Sequence, residues 1–432
     1  MPPETAAARN RSASPRAVLA MLLAVYVFNF VDRQILSILA RPIQADLGLT
    51  DAQMGLLGGL AFALLYSTLG VPLAWLADRT SRSWVITASL LCWSLFTAFC
   101  ALAHGFWHLF LARVGVGVGE AGGVAPSYAV IAEHFPSERR ARALAVYSLG
   151  IPLGSAAGVL AGGYIAAHVD WRWAFAVVGL AGLALAPLFR MVVRDGRRPA
   201  SPTADAPRFA EVAGALARKP SFWLLSFGAA ASSMMGYGIA FWLPSLLQRS
   251  FGLSLIETSW FIGAILLLGG TAGMLLGGVL ADRLGSGARG WFAWVPALAF
   301  VIGTPLFAAG INSGSARLAF VLFLVPQGLA YVWLGPVLSA VQHLVPAASR
   351  ATASALFLLI NNLIGLGGGI YALGALSTAL TPTYGAQALR YSMLSGLALY
   401  LAAAILMALA GRHLPSDWVD DDVARGPSEG NC

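Results

Sequence analysis

The chain alternates long apolar segments with short polar breaks, and the apolar segments set its architecture. Twelve stand out, at about 17–40, 52–76, 83–103, 106–133, 140–168, 171–193, 221–248, 255–281, 289–311, 317–345, 351–378 and 386–411. Each reaches the roughly 20 residues that a helix needs to cross about 30 Å of hydrocarbon. None shows the polar–apolar alternation of an outer-membrane strand. The pattern predicts an all-α membrane protein of twelve transmembrane helices. The one long break, 194–219, carries Arg, Pro, Ser and Asp without an apolar run, and 209–218 within it can form a short surface helix. It divides the chain into an N-terminal tail (1–16), a six-helix bundle (17–193), a linker (194–219), a second six-helix bundle (220–412) and a C-terminal tail (413–432).

The halves repeat. Leu76-Ala77-Asp78-Arg79 recurs as Leu280-Ala281-Asp282-Arg283, an offset of 204, and Gly48-Leu49-Thr50 recurs at the same offset as Gly252-Leu253-Ser254. Thr50 and Ser254 are expected to N-cap equivalent helices. Pro126, Pro136 and Arg140 match Pro336, Pro346 and Arg350 at an offset of 210, so one small insertion separates the two registers. Two like-oriented repeats of six helices are a transporter architecture.

Composition agrees: 58% of residues are hydrophobic and 11% charged, against about 25% charged in soluble domains. Of the 27 Lys and Arg, 20 fall on the side of the two termini and 5 on the opposite side. By the positive-inside rule both termini are cytoplasmic, and the net charge of +8 is topological, with no nucleic-acid partner. The near-exclusive use of Arg, with Lys219 the single lysine, suggests a bacterial inner (plasma) membrane. The polar start, Met1 to Arg16, reads as having no signal peptide. Cys92, Cys100 and Cys432 form no disulfide or metal pattern, and the pairs His104/His108 and His134/His343 sit near helix ends. With no His-Glu-x-x-His and no Gly-x-Ser-x-Gly, neither an enzyme nor a cofactor or metal is expected.

Four charges break the apolar pattern: Asp32 and Arg33 in the first segment, Arg113 and Glu120 in the fourth. A charge at mid-bilayer costs roughly 2.5–3.5 kcal/mol on insertion scales and usually marks a pathway for protons, ions or substrate. Their counterparts in the second half are Gly236, Tyr237, Phe323 and Ala330, so the fold alone does not require them. Arg113, Gly117 and Glu120 share one helix face. Asp32 and Arg33 point about 100° apart, which suits a crossed arrangement: Asp32 toward Arg113, and Arg33 toward Glu120 or an anionic substrate. Proton coupling, a structural ion pair between helices 1 and 4, and a local Asp32–Arg33 bridge all fit the residues.

Other candidates are weaker in isolation. Gly70 and the turn Asp78-Arg79-x-x-Arg82, echoed at Asp282-Arg283, suit a cytoplasmic latch that holds an outward-facing state and breaks on inward opening. Gly150, Gly154, Gly158 and Gly162 give helix 5 a smooth face for close packing, with a faint lean toward export. Asn29, Tyr237, Trp242, Tyr331, Asn361 and Asn362 are candidates for a substrate cavity, since buried amides need partners and amphipathic aromatics suit an amphiphile. The acidic run Asp417 to Asp422 reads as solvated.

Asn29-Phe30-Val31-Asp32-Arg33-Gln34, Leu76-Ala77-Asp78-Arg79 and Arg113-Val-Gly-Val-Gly-Val-Gly-Glu120 together resemble the Spinster branch of the major facilitator superfamily. The resemblance is close over most of the first half and architectural over the second. It implies the major facilitator fold and a proton-coupled secondary transporter. It casts Asp32 and Glu120 as coupling carboxylates, and Arg33 and Arg113 as their partners and head-group contacts. Animal members move lysophospholipids or sphingosine phosphate, so the implied partners are protons, membrane lipids and a small-molecule or lipid substrate. The alternatives are an exporter or symporter of small hydrophobic organic anions or drugs and, more remotely, a non-transporting membrane sensor.

Overall fold

A computed structural model describes residues 14–194, 209–285, 288–346 and 349–419. The expected tails before residue 14 and after residue 419, and linker residues 195–208, lie outside the described residues. The crossings are α1 (Pro15–Ile38), α2 (Asp51–Arg79), α3 (Arg82–Cys100), α4 (Phe106–His134), α5 (Arg142–His168), α6 (Trp171–Val192), α7 (Pro220–Ser250), α8 (Leu255–Gly285), α9 (Trp291–Ile311) and α10 (Ala316–Gln342). A final apolar run, Thr352–Asp417, has 66 residues, far more than one bilayer accommodates. It turns back at Gly385, where φ is 52°, and so supplies α11 (350–384) and α12 (388–417). The described residues thus cross twelve times, and residues 14 and 419 lie on one side, here the tail side, opposite the far side.

The repeat is visible in local chemistry. Gly48 and Gly252 adopt left-handed φ of 64° and 67°, a conformation that glycine takes without steric cost. Two residues on, Thr50 with Gln53 and Ser254 with Glu257 close capping boxes that start α2 and α8. The α4 helix breaks at 121–123 and α10 at 330–333, matching the 210-residue register. The second half departs from the first in two π-helical turns, Ile265–Gly270 in α8 and Asn362–Gly368 in α11. A short helix between α1 and α2, Ala40–Leu47, was not legible in the apolar pattern because it is short and amphipathic, with one polar face. Phe209–Ala217 forms the expected linker helix.

Small residues bring the helices of the first half together. A Cβ at Gly158 of α5 would stand 2.6 Å from Val31 O of α1, one residue before Asp32. Cβ atoms at Gly117 and Gly119 of α4 would strike the backbones of Phe62 in α2 and Trp93 in α3. The glycine face of α5 therefore serves helix packing.

The halves pack through α1 with α7, α2 with α11 and α5 with α8. These contacts concentrate on the far side. The first turns of α2, Asp51–Gly58, lie on Gly369–Tyr384, and α5 meets Leu255–Ala264 at the start of α8. The tail-side part of α8, Thr271–Gly285, packs on α9 and α10 of its own half. A polar cluster fastens the far side. Asp51 accepts from Arg249 Nη1 at 2.7 Å and Nη2 at 2.5 Å, from Ser377 Oγ at 2.6 Å and from Gln44 Nε2 at 2.7 Å. Thr378 Oγ accepts from Ala52 N at 2.8 Å, and Ser37 Oγ donates to Ala240 O at 3.3 Å.

On the tail side Lys219 Nζ donates to Leu344 O at 2.7 Å and Asp417 O at 2.6 Å. Burial pulls the Lys219 ammonium below the usual lysine range, opposed by Asp417. The Asp417 carboxylate accepts from Ser221 N at 3.1 Å and Ser221 Oγ at 2.6 Å. Contrary to its reading as solvated, Asp417 caps the start of α7, and α12 extends to it; Asp420 to Asp422 lie outside the described residues.

Arg249→Met removes the cation from the far-side cluster and leaves Asp51 unpaired. In a background lacking Cys92, Cys100 and Cys432, Tyr237→Cys should then react severalfold faster with an impermeant maleimide added from the far side. An unchanged rate would mean that apolar packing, not this cluster, holds the far side shut.

Candidate functional site

The four mid-membrane charges meet between α1 and α4, their side chains spanning the space between the two helices. The α5 glycine face fixes the rotation of α1, and the close approach of α4 to α2 and α3 fixes that of α4. The pairing is crossed. Arg33 Nε stands 2.8 Å from Glu120 Oε2, and Arg113 Nη1 stands 3.7 Å from Asp32 Oδ1.

The two pairs differ in access and closeness. Side chains of Asp32 and Arg113 are 1% and 2% exposed, and Glu120 is 0%, whereas Arg33 is 14% exposed. Arg33–Glu120 is a direct charge-assisted hydrogen bond. Asp32–Arg113 is beyond hydrogen-bond distance. Both Asp32 oxygens, Arg113 Nε and Nη1, Glu120 Oε1 and Arg33 Nη2 find no hydrogen-bond partner. Thr97, beside Asp32, donates its hydroxyl to Trp93 O at 2.9 Å. The group is electroneutral when all four are ionised, yet it holds spare donors and acceptors.

Three rings enclose Arg33. Its guanidinium carbon lies 5.2 Å from the Phe30 centroid, 4.9 Å from Phe62 and 4.5 Å from Tyr66. Phe62 is also 5.4 Å from the Arg113 guanidinium, so one ring serves both cations. These rings were missed in the sequence; the available signal was the Phe62/Tyr66 spacing of four on α2. Toward the tail side Tyr26 stacks on Tyr147 at 4.3 Å, and Tyr128 meets Tyr147 at 5.5 Å.

The candidate cavity residues separate. Asn29 is buried, with Oδ1 unpartnered. Tyr237 of α7 lies within electrostatic range of Arg33 and Tyr66, and Tyr331 within range of Tyr237. Asn361 accepts from Ser233 Oγ at 2.8 Å and approaches Asn362 Oδ1 at 3.4 Å, where the π turn of α11 begins. Trp242 does not fit a cavity role. It is fully buried, and its Nε1 donates to Ile370 O at 2.9 Å, joining α7 to α11.

On the tail side Arg82 pairs with Asp78 at 2.7 Å and also with Glu133 of α4. Glu133 had no signal in the sequence. Arg79 stacks on Trp75 at 3.9 Å. A Cβ at Gly70 would lie 3.9 Å from Ala121 O, where α4 breaks. The Asp78–Arg82–Glu133 ties lie within the first half. Arg283 lies in the last turn of α8; the side chain of Asp282 lies outside the described residues.

Arg113→Met would strand Asp32 without a cation, a loss of about 3–5 kcal/mol for a broken buried pair. Its thermal midpoint in detergent should fall sharply, and adding Asp32→Asn should recover most of the fall. Equal melting of the single and double variants would show that Asp32 does not depend on Arg113.

The sequence pattern of the Major Facilitator Superfamily matches residues 22–369. Over 408 residues, 94% of each chain, the protein is 35% identical to a Mycolicibacterium smegmatis protein described as an MFS-type efflux pump. It is 28% identical over 391 residues to human protein spinster homolog 1, covering 84% of this chain and 73% of that one. A solved bacterial homolog of the human lysosomal transporter Spinster, inward-facing and unoccupied, superposes with a TM-score of 0.86 at 29% identity, over 94% of this chain and 98% of that one. A D-xylose–proton symporter shares the fold, with a TM-score of 0.69 at 17% identity over 94% and 98% of the two chains. Two like-oriented six-helix bundles, the repeated loop motif and these matches agree: the chain belongs to the major facilitator superfamily, is a transporter and not an enzyme, and is similar to its Spinster proteins.

Proposed function

We propose that the protein is a proton-coupled secondary transporter, working by alternating access, for an amphiphile with an anionic head such as a lysophospholipid. The observation that carries this reading is the Arg33–Glu120 pair. Its carboxylate is fully buried, while its guanidinium retains access and sits in an aromatic cage. A proton delivered to Glu120 cancels the charge that holds Arg33. The rings keep the guanidinium in place, ready for an anionic head group. Conversely, an anionic head on Arg33 leaves Glu120 in a dry site without its cation, where a carboxylate favours the neutral form. Proton and anion therefore support each other's binding. Asp32–Arg113, sealed behind them, is the fixed counterweight and the second coupling candidate.

The second half supplies the other wall. Tyr237, Tyr331, Asn361 and Asn362 offer aromatic surface and amide groups for the body of the amphiphile. By the positive-inside rule the tail side is the cytoplasm of a bacterial plasma membrane, so this conformation opens inward, in keeping with the inward-facing relative. The Asp78-Arg79-x-x-Arg82 motif, with Asp282-Arg283, would meet the opposite half when the cytoplasmic side closes. A second reading, export of hydrophobic organic anions or drugs, is favoured by the efflux description of the Mycolicibacterium smegmatis relative.

Proteoliposomes with and without an imposed pH gradient test this, using labelled lysophospholipid. Wild-type flux should follow the gradient, and Glu120→Gln should lose that response. Binding of the anionic amphiphile should tighten as pH falls in wild type and become independent of pH in Glu120→Gln. Absence of lysophospholipid flux, with competition only from small organic anions or drugs, would favour the export reading. Binding without any flux would point to a sensor.

A further inference from the structure

A groove of about 1090 Å³ runs along the tail-side ends of α3 and α6. Neither helix packs closely against the second half among the described residues, so the groove lies on the outer perimeter of the first bundle, away from the site between the bundles. Its floor is Leu91 and Leu183, its rim includes Trp84 and Met191, and its mouth carries Arg190 and Arg194. From Arg190 to Leu183 is seven residues, about 10 Å of helix. The groove is thus charged at the membrane surface and apolar beneath it.

The charge of the two arginines is not balanced by a carboxylate among the described residues. Arg190 stacks over Trp84 at 5.0 Å and makes a long contact of 3.5 Å with Val193 O, and its buried Nε has no partner. The walls face lipid: Trp84 is 54% and Met191 71% exposed, both within membrane spans. Trp at this depth is an interfacial anchor. A water-borne ion would find two cations but would leave the apolar floor bare. A basic pocket between transmembrane helices at the positive side of a membrane is a head-group site.

We infer that this groove holds an anionic glycerophospholipid of the tail-side leaflet. Its phosphate lies on Arg190 and Arg194, and an acyl chain lies along Leu91 and Leu183. The lipid is resident and not cargo, because among the described residues the groove is lined by the first half alone. It braces α3 at its first turn, where Arg82 ties α2 to α4.

The test uses delipidated, detergent-purified full-length protein. Lipid binding is read by native mass spectrometry and by the thermal midpoint. Wild type should prefer phosphatidylglycerol over phosphatidylcholine by roughly thirtyfold, the attraction of two arginines to an anionic head. Arg190→Gln with Arg194→Gln should lose the preference. Arg412→Gln, an exposed tail-side arginine of the other half, should keep it. Leu183→Trp fills the floor and spares both arginines, and it should also lose binding, which covers a double variant that fails to fold. The inference is overturned if the double variant binds phosphatidylglycerol as wild type does, or if wild type shows no preference. It is equally overturned if inorganic phosphate at millimolar concentration displaces the lipid or stabilises the protein as well.

Discussion

Burying Asp32, Arg33, Arg113 and Glu120 at the depth of a bilayer costs several kcal/mol per ion unless each charge meets its opposite. That requirement governs the first half of the molecule. It needs α1 and α4 to face each other at one rotation each, and the glycine contacts of α5 on α1 and of α4 on α2 and α3 provide it. The second half, with Gly236, Tyr237, Phe323 and Ala330 at the equivalent places, has no such constraint. It uses the same helices to build an aromatic and amide wall interrupted by two π turns.

Within the quartet the division of labour follows from distance and access. Arg33–Glu120 is tight and partly accessible through Arg33; Arg113–Asp32 is loose and sealed. A pair at 2.8 Å can be exchanged for another partner of the same charge, provided something holds the guanidinium meanwhile. The rings of Phe30, Phe62 and Tyr66 do so. Because they are bound to the cation through their faces rather than through a hydrogen bond, they leave its donors free.

The two ends of the molecule use different chemistry. On the far side, one carboxylate, Asp51, gathers Arg249, Gln44 and Ser377 from three other helices, Ala40–Leu47 included. On the tail side, Arg82 binds Asp78 and Glu133 within a single half. A reversible seal made of a few polar contacts over a small-residue interface can open without exposing a large apolar core, which is what alternating access demands.

The sequence by itself determined the crossings, the repeat and the class of protein, because apolar length, capping residues and positive-charge bias act locally and additively along the chain. It placed Thr50 and Ser254 at equivalent helix starts, and the 100° between Asp32 and Arg33 already suited a crossed pairing. It did not reveal the cage around Arg33, the Asp51–Arg249 cluster, Glu133 as a partner of Arg82, or the cap made by Asp417. Each joins residues 51 to 198 positions apart or depends on which face of a helix meets a neighbour. Trp242 shows the same limit from the other direction. An indole in an apolar helix suits a cavity and a core equally, and only the packing of α7 on α11 decided for the core. Long-range pairing is set by helix rotation and depth, which glycine contacts fix in three dimensions and which no one-dimensional pattern contains.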